Sequence, residues 1–156
     1  MKLKKGDVAP NFKIPDEKRE LHQIPGKKIV FFFPKAFTPG CTKEACSIQD
    51  THSDLQMHGI ETIIGISMDD EKTLQKFKER YNLTYSLVSD KSGEISKAYG
   101  VFKNFLLAKM SDRTTFIIGD DNKILEVLEL GIRGGKSAKG LDHHGEEILN
   151  LLEDLH

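Results

Sequence analysis

Cysteine is scarce in this chain, charge is almost balanced, and no apolar run is long. Two cysteines occur in 156 residues, the formal net charge is −1, and the longest stretch of consecutive apolar residues is Ile29–Phe33. Each shortage excludes something. A bilayer span needs roughly 20 apolar residues, so no membrane span is expected. Near-neutral charge leaves no electrostatic footprint for nucleic acid or an anionic membrane surface. The opening MKLKKGDVAP is basic but has no apolar segment behind it, unlike a secretory signal, and a cytoplasmic location is the expectation. In that reducing compartment a structural disulfide is disfavoured, and paired cysteines more often carry redox chemistry or hold metal.

Metal is the weaker of those two readings. Zinc sites generally take four ligands at short paired spacings, and Cys41 and Cys46, five positions apart, do not supply a half-site. The six histidines, His22, His52, His58, His143, His144 and His156, contain no H-x-x-x-H pair. Adjacent His143 and His144 would diverge on a helix, and all six read as solvated surface residues. No metal or cofactor is expected. There is no internal repeat or low-complexity linker. The length suits one domain, 1–156, able to bury a core unaided.

What is present is an alternation of short apolar runs and amphipathic stretches. Lys27–Phe33 (KKIVFFF) is β-prone and stopped by Pro34. Thr42–Met57 reads as a helix, Ile60–Met68 as a strand, and Glu71–Tyr81 as a helix with Leu74, Phe77 and Tyr81 on one side. A short strand at Tyr85–Val88 and a short helix at Ser92–Tyr99 follow. Thr114–Ile118 and Lys123–Leu130 read as strands joined by a turn at Gly119–Asn122. Glu146–Leu155 carries Ile148, Leu149, Leu151, Leu152 and Leu155 on one stripe, an amphipathic helix. The order β, α, β, α, β, α, β, β, α predicts an α/β, thioredoxin-like fold, a central mixed β-sheet flanked by helices with an antiparallel edge hairpin. GGKS at positions 134–137 suggests the end of a phosphate-binding loop, but the glycine required five places before Gly135 is Leu130. Gly131–Gly140 reads as a surface loop.

The chemistry concentrates in FFFPKAFTPGCTKEAC, Phe31–Cys46. Thr38 followed by Pro39 is a helix start, Thr suiting the N-cap and Pro the first helical position. Cys41 is then the third helical residue, near unpaired N–H groups at the positive helix end, where a thiolate is favoured. A helix terminus supplies about 0.3–1 kcal/mol, less than the ~1.4 kcal/mol of one pKa unit. A strongly ionised thiol therefore needs a further cation. Lys35 is local, and Arg113, directly before the TTFII strand, is the best distant candidate.

Projected at about 100° per residue, Ala45, Ile48 and Leu55 define the buried face, and Cys41 and Glu44 fall within it. An inward carboxylate needs a partner. Arg113 would satisfy Glu44 and be held near Cys41. Cys46 lies about 140° from Cys41, and Cα atoms five apart in a helix are about 8.7 Å apart. A disulfide needs them within about 7 Å. Cys41 and Cys46 can therefore bond only if the first turns unwind.

These residues resemble the peroxiredoxins. Pro34, Thr38 and Cys41 form P-x-x-x-T-x-x-C, and PKAFTPGCTKEAC is similar to the bacterioferritin comigratory protein, or peroxiredoxin Q, subgroup, of atypical two-cysteine type. GDVAPNF, IIGISMD, LVSDKSGEISKAYGV and SDRTTFII resemble further family blocks in the same order, nearly the whole length of the chain. Ala36, Ile48 and the KGLDHH segment depart from common family residues. The resemblance implies a thiol-dependent peroxidase acting on hydrogen peroxide and organic hydroperoxides. Cys41 would be the peroxidatic cysteine, oxidised to sulfenic acid. Thr38 and the Cys41 N–H would bind peroxide, Arg113 would stabilise developing charge, Pro34 would shield the site, and Glu44 would orient Arg113. Cys46 would resolve the sulfenic acid as an intramolecular disulfide, reduced by thioredoxin or a similar dithiol donor. The subgroup implies a monomer.

Three other readings stand beside this one. Cys41, His143 and Asn150 follow the chain order of papain-like cysteine hydrolases. A non-catalytic redox sensor could use the same helix unwinding. A thioredoxin-type oxidoreductase would want C-x-x-C, which is absent.

Overall fold

The computed structural model describes residues 3–105, 108–131 and 140–154. Most of the loop containing GGKS, and Leu155 and His156, lie outside them. Two short strands, β1 (Lys13–Ile14) and β2 (Arg19–Glu20), precede β3 (Lys27–Phe32). Then come α1 (Pro39–Asp50), α2 (His52–Met57), β4 (Ile60–Ser67), α3 (Glu71–Arg80), β5 (Ser86–Ser89) and α4 (Glu94–Ala98). A hairpin, β6 (Phe102–Phe105) with β7 (Ala108–Ser111), leads to β8 (Thr114–Ile118), β9 (Ile124–Glu129) and α5 (His144–Asp154).

The central sheet has the order β5-β4-β3-β8-β9. Strands β3, β4 and β5 are parallel, β8 runs antiparallel to β3, and β9 antiparallel to β8. The mixed sheet with an antiparallel edge agrees with the sequence reading. The edge turn is closed by Asn122, with a φ of 64°, a conformation asparagine tolerates better than most residues. The β6–β7 hairpin and the β1–β2 pair were not expected.

Apolar runs without alternation make strands buried on both faces, and β3 shows it. Ile29, Phe31 and Phe33 pack on one side with Ile48 of α1, Leu74 and Phe77 of α3, and Ile148 and Leu152 of α5. Val30 and Phe32 pack on the other with Phe12, Tyr99, Phe116 and Ile118. Each of the fully buried Phe and Ile side chains contributes about 1.5–3 kcal/mol. Three helices therefore cover one face, and α1 begins where β3 ends.

The single helix expected over Thr42–Met57 is two. It breaks at Thr51, with φ −99° and ψ 7°. Thr51 Oγ1 donates to the Ser47 and Ile48 carbonyls at 3.1 and 3.2 Å, a back-bonding that competes with the helix ladder. The last helix begins at His144 rather than Glu146. Gly145 is required there: a Cβ would fall 2.1 Å from Thr51 Oγ1 and 2.5 Å from the Ser47 carbonyl oxygen. Its N–H donates to Ser47 Oγ at 2.9 Å. The start of α5 is thus seated directly on the end of α1.

Candidate active site

The turn Pro34–Thr38 leaves the carboxyl end of β3 beside that of β4, the usual place for a site in an open α/β sheet. It is pinned from β4. The Ala36 N–H donates to Asp69 Oδ2 at 2.8 Å, and Ser67 Oγ donates to the same oxygen at 2.7 Å. Phe37 holds a φ of 65°, a conformation that costs a residue of its type about 1–3 kcal/mol. Its ring packs on Phe77 and Tyr81, with centroids 5.2 and 6.3 Å away. The turn is held in a strained form by a carboxylate below and an aromatic cluster above.

Thr38 occupies the N-cap position of α1 and Pro39 the first helical one, as expected, but the Thr38 side chain does not cap. Its hydroxyl donates back to the Lys35 carbonyl at 2.7 Å. That bond tightens the turn and leaves the first helical N–H groups without the threonine oxygen. Cys41 follows two residues into the helix, 1% exposed.

Behind Cys41 lies Arg113, 3% exposed, reaching in from the start of β8. Its Nη2 donates to Cys41 Sγ at 3.3 Å and its Nη1 donates to Glu44 Oε1 at 2.7 Å. The inward face projected for Cys41 and Glu44 is the one observed, and Arg113 is the cation both groups share. Lys35 is exposed on the turn. Gly40 fits because a Cβ would lie 3.1 Å from Leu141 Cδ1 and 3.2 Å from Arg113 Nη2. Leu141, which closes over this point from the segment before α5, was not legible in the sequence, and neither was Asp69.

Burial sets the electrostatics. It pushes the fully buried Glu44 carboxyl up to about 7, against the pull of Arg113. Arg113 is itself desolvated, but Glu44 and Cys41 outweigh that and raise its pKa. Tyr85, whose hydroxyl donates to the Ala45 carbonyl at 2.8 Å, is pushed well above the usual tyrosine range by burial, then by Glu44 and Cys46.

Cys46 points elsewhere. It is half-buried and unbonded, and burial, then Asp50, pushes its thiol up. Both cysteines sit in the intact α1, where Cα atoms five apart are about 8.7 Å from each other.

The surface reading of the histidines fails at His144, which is 0% exposed. Gly145 lets the helix approach closely enough to bury it. His143 does lie outside, its ring 3.8 Å from Asp142 and 3.6 Å from Glu146, and Asn150 is exposed. The hydrolase arrangement of Cys41 with His143 and Asn150 is therefore not formed. Among the described residues no cluster of His, Cys, Asp and Glu has metal-binding geometry, and no helix is long and apolar enough to cross a membrane.

A buried cysteine thus lies within 3.3 Å of a buried arginine at the carboxyl end of the parallel strands. The family model for the AhpC/TSA family matches residues 5–127. The chain is 41% identical over 135 residues to the putative peroxiredoxin bcp of Coxiella burnetii, covering 81% of this chain and 89% of that one. It is 35% identical over 161 residues to peroxiredoxin Bcp of Escherichia coli strain K12, covering 97% of each. The crystal structure of peroxidoxin BcpB from Mycobacterium tuberculosis superposes with a TM-score of 0.84 at 32% identity, over 99% of both chains. The thioredoxin-like fold is shown by the same superposition. The chain belongs to the AhpC/TSA family, as a peroxiredoxin with Bcp homologues, a thiol-dependent peroxidase of the oxidoreductase class.

Proposed function

We propose that Cys41 is the peroxidatic cysteine of a two-cysteine cycle that reduces hydrogen peroxide and organic hydroperoxides. The observation that carries this reading is the contact of Arg113 Nη2 with Cys41 Sγ at 3.3 Å. A fixed cation beside a buried sulfur meets negative charge as it develops on the reacting atoms. The Cys41 thiolate attacks the terminal peroxide oxygen. The S–O bond forms as the O–O bond breaks, and the departing alkoxide or hydroxide takes up a proton and leaves as alcohol or water. Cys41 becomes a sulfenic acid, oxidised by two electrons. Thr38 and the Cys41 N–H hold the peroxide, Pro34 shields it, and Glu44 fixes the plane of Arg113.

Resolution requires movement. The Cys46 thiol attacks the sulfenic sulfur, a disulfide forms, and the hydroxyl leaves as water. Intact helix geometry keeps the two Cα atoms beyond disulfide range, so the first turns of α1 unwind. Thioredoxin or a similar dithiol donor then reduces the disulfide and is itself oxidised. The chain works as one domain and as a monomer in the cytoplasm. Dispersed exposure supports the monomer: the large apolar side chains exposed among the described residues are Val8, Phe37 and Met57.

The decisive experiment is hydrogen peroxide consumption coupled to thioredoxin, thioredoxin reductase and NADPH. Cys41→Ser abolishes it. Retention of full activity by that variant would end this reading. A redox sensor that oxidises once and stops is separated by the same assay, because it shows no sustained NADPH consumption.

A further inference from the structure

Behind the Arg113–Glu44 pair lies a buried imidazole that the peroxidase cycle leaves without a task. His144 Nε2 is 2.8 Å from Thr115 Oγ1 and 3.5 Å from Glu44 Oε2. Both His144 and Glu44 are 0% exposed. Two polar atoms here lack a hydrogen-bond partner, Glu44 Oε2 and His144 Nδ1. A proton on Nδ1 would leave a buried N–H donor with nothing to donate to, as well as the orphaned carboxylate oxygen. A proton on Nε2 is donated to Thr115 Oγ1 at 2.8 Å and faces Glu44 Oε2 at 3.5 Å, so no buried N–H is left without an acceptor. Burying an unsatisfied donor is costly, so the second arrangement wins.

We infer that His144 is a positioning residue for Cys41 oxidation: a neutral imidazole, oriented by Thr115, that presents the positive edge of its Nε2–H to the outer oxygen of Glu44 at 3.5 Å, so that the carboxylate keeps Arg113 aimed at the sulfur. This rests on the reading of Cys41 and Arg113 given above. The order of contacts is His144, Glu44, Arg113, Cys41, each link at one defined atom. The imidazole touches neither the sulfur nor the peroxide site.

Neutrality matters. Burial, then Arg113, pushes His144 down to about 4, so the ring donates without carrying a competing positive charge at neutral pH. The other ionisable groups acting on Glu44 are Arg113, which lowers its pKa, and Glu147 of α5, which raises it. Tyr85 and Cys46 lie close by and stay protonated. Loss of the imidazole donor removes support from the ionised carboxylate, so the Glu44 pKa moves further up and a larger share of molecules holds Arg113 through a neutral acid.

The test has three parts. In the unsubstituted reduced protein, ¹⁵N NMR of the His144 ring should show the proton on Nε2 at pH 7. His144→Leu should slow stopped-flow oxidation of Cys41 by hydrogen peroxide about three- to tenfold, the scale of a lost interaction of about 1 kcal/mol, and move the acid limb of its pH profile upward. His144→Gln, whose amide N–H₂ stands where Nε2 does, should restore both. In a Glu44→Gln background, His144→Leu should cause no further loss, since coupled residues are not additive. A proton on Nδ1, or equal losses from His144→Leu with and without Glu44, overturns the assignment. Persistence of oxidation in Cys41→Ser overturns the reading of Cys41 instead, whatever the ring tautomer.

Discussion

Cys41 and Cys46 share one helix and differ in almost everything else. Cys41 is buried against a guanidinium that also grips a carboxylate. Cys46 is half-buried, and burial together with Asp50 holds it as a thiol. Helical projection of the sequence already separates the two sulfurs by about 140°. The helix turns one toward the protein and the other away, and only the inward one meets the guanidinium of Arg113. A single secondary-structure element can therefore place two identical side chains in different chemical surroundings.

The harshest way to break this comparison is to remove the first sulfur. Cys41→Ser should lose all peroxide consumption, measured with the thioredoxin-coupled assay. Cys46→Ser should keep one oxidation, seen as a single sulfenic-acid equivalent by dimedone labelling, and lose thioredoxin-driven turnover. Continued turnover by that variant would show that Cys46 is not the resolving group.

Arg113→Ala should come next. It strips the cation from Cys41 and leaves Glu44 buried without its partner, a change that destabilises a fold by about 3–5 kcal/mol. A slower Cys41 oxidation and a lower urea midpoint are both expected, and wild-type values for both would refute the assigned role.

Acid–base behaviour sharpens the comparison further. Glu44 has a folded-state pKa raised from 4.5 to about 7, so between those values the unfolded chain has lost the proton the fold retains, and stability falls as pH rises. His144 is lowered from 6.5 to about 4. Between those values the unfolded chain holds the extra proton, and stability rises with pH. The two slopes oppose each other between pH 4.5 and 6.5. Glu44→Gln should therefore add a rising slope to the urea-denaturation profile relative to wild type, and His144→Gln a falling one. Parallel profiles for all three proteins would contradict both assignments.

The mildest change is Tyr85→Phe. It deletes the hydrogen bond to the Ala45 carbonyl, one residue before Cys46. A loss of about 1 kcal/mol is expected, with faster Cys41–Cys46 disulfide formation after peroxide treatment because the helix opens more readily. An unchanged rate would show that Tyr85 does not restrain that part of α1.

Much of this site is legible in the sequence because it depends on local rules. Thr38–Pro39 marks a helix start, and helical projection brings Cys41 and Glu44 to one face and calls for Arg113. Where tertiary packing decides, the residues say little. The FKNFLLAKMS hairpin has no Gly, Pro or Asn at its tip to announce a turn. Thr51 looks helical, and its break depends on back-bonding to Ser47 and Ile48. His144 beside His143 reads as surface, and it is buried because Gly145 has no side chain. Asp69 and Leu141 carry no signal of their own, since each acts only on a turn or a glycine far away in the chain.

Gly145 also fixes where α5 meets α1. Ser47 and Thr51 are seated against it, so the carboxyl half of the helix is anchored while Pro39–Cys46 is not held by that contact. The five-residue step from Cys41 to Cys46 spans about 7.5 Å of helix rise, and about 17 Å if fully extended. Fraying of that stretch supplies the slack a disulfide needs, at the cost of the Arg113 contacts to Cys41 and Glu44 and of the Tyr85 bond to the Ala45 carbonyl. The absent side chain at position 145 is what lets the carboxyl end of α1 stay clamped to α5 while the chain before it is free of that clamp, and a larger residue there would push the two helices apart.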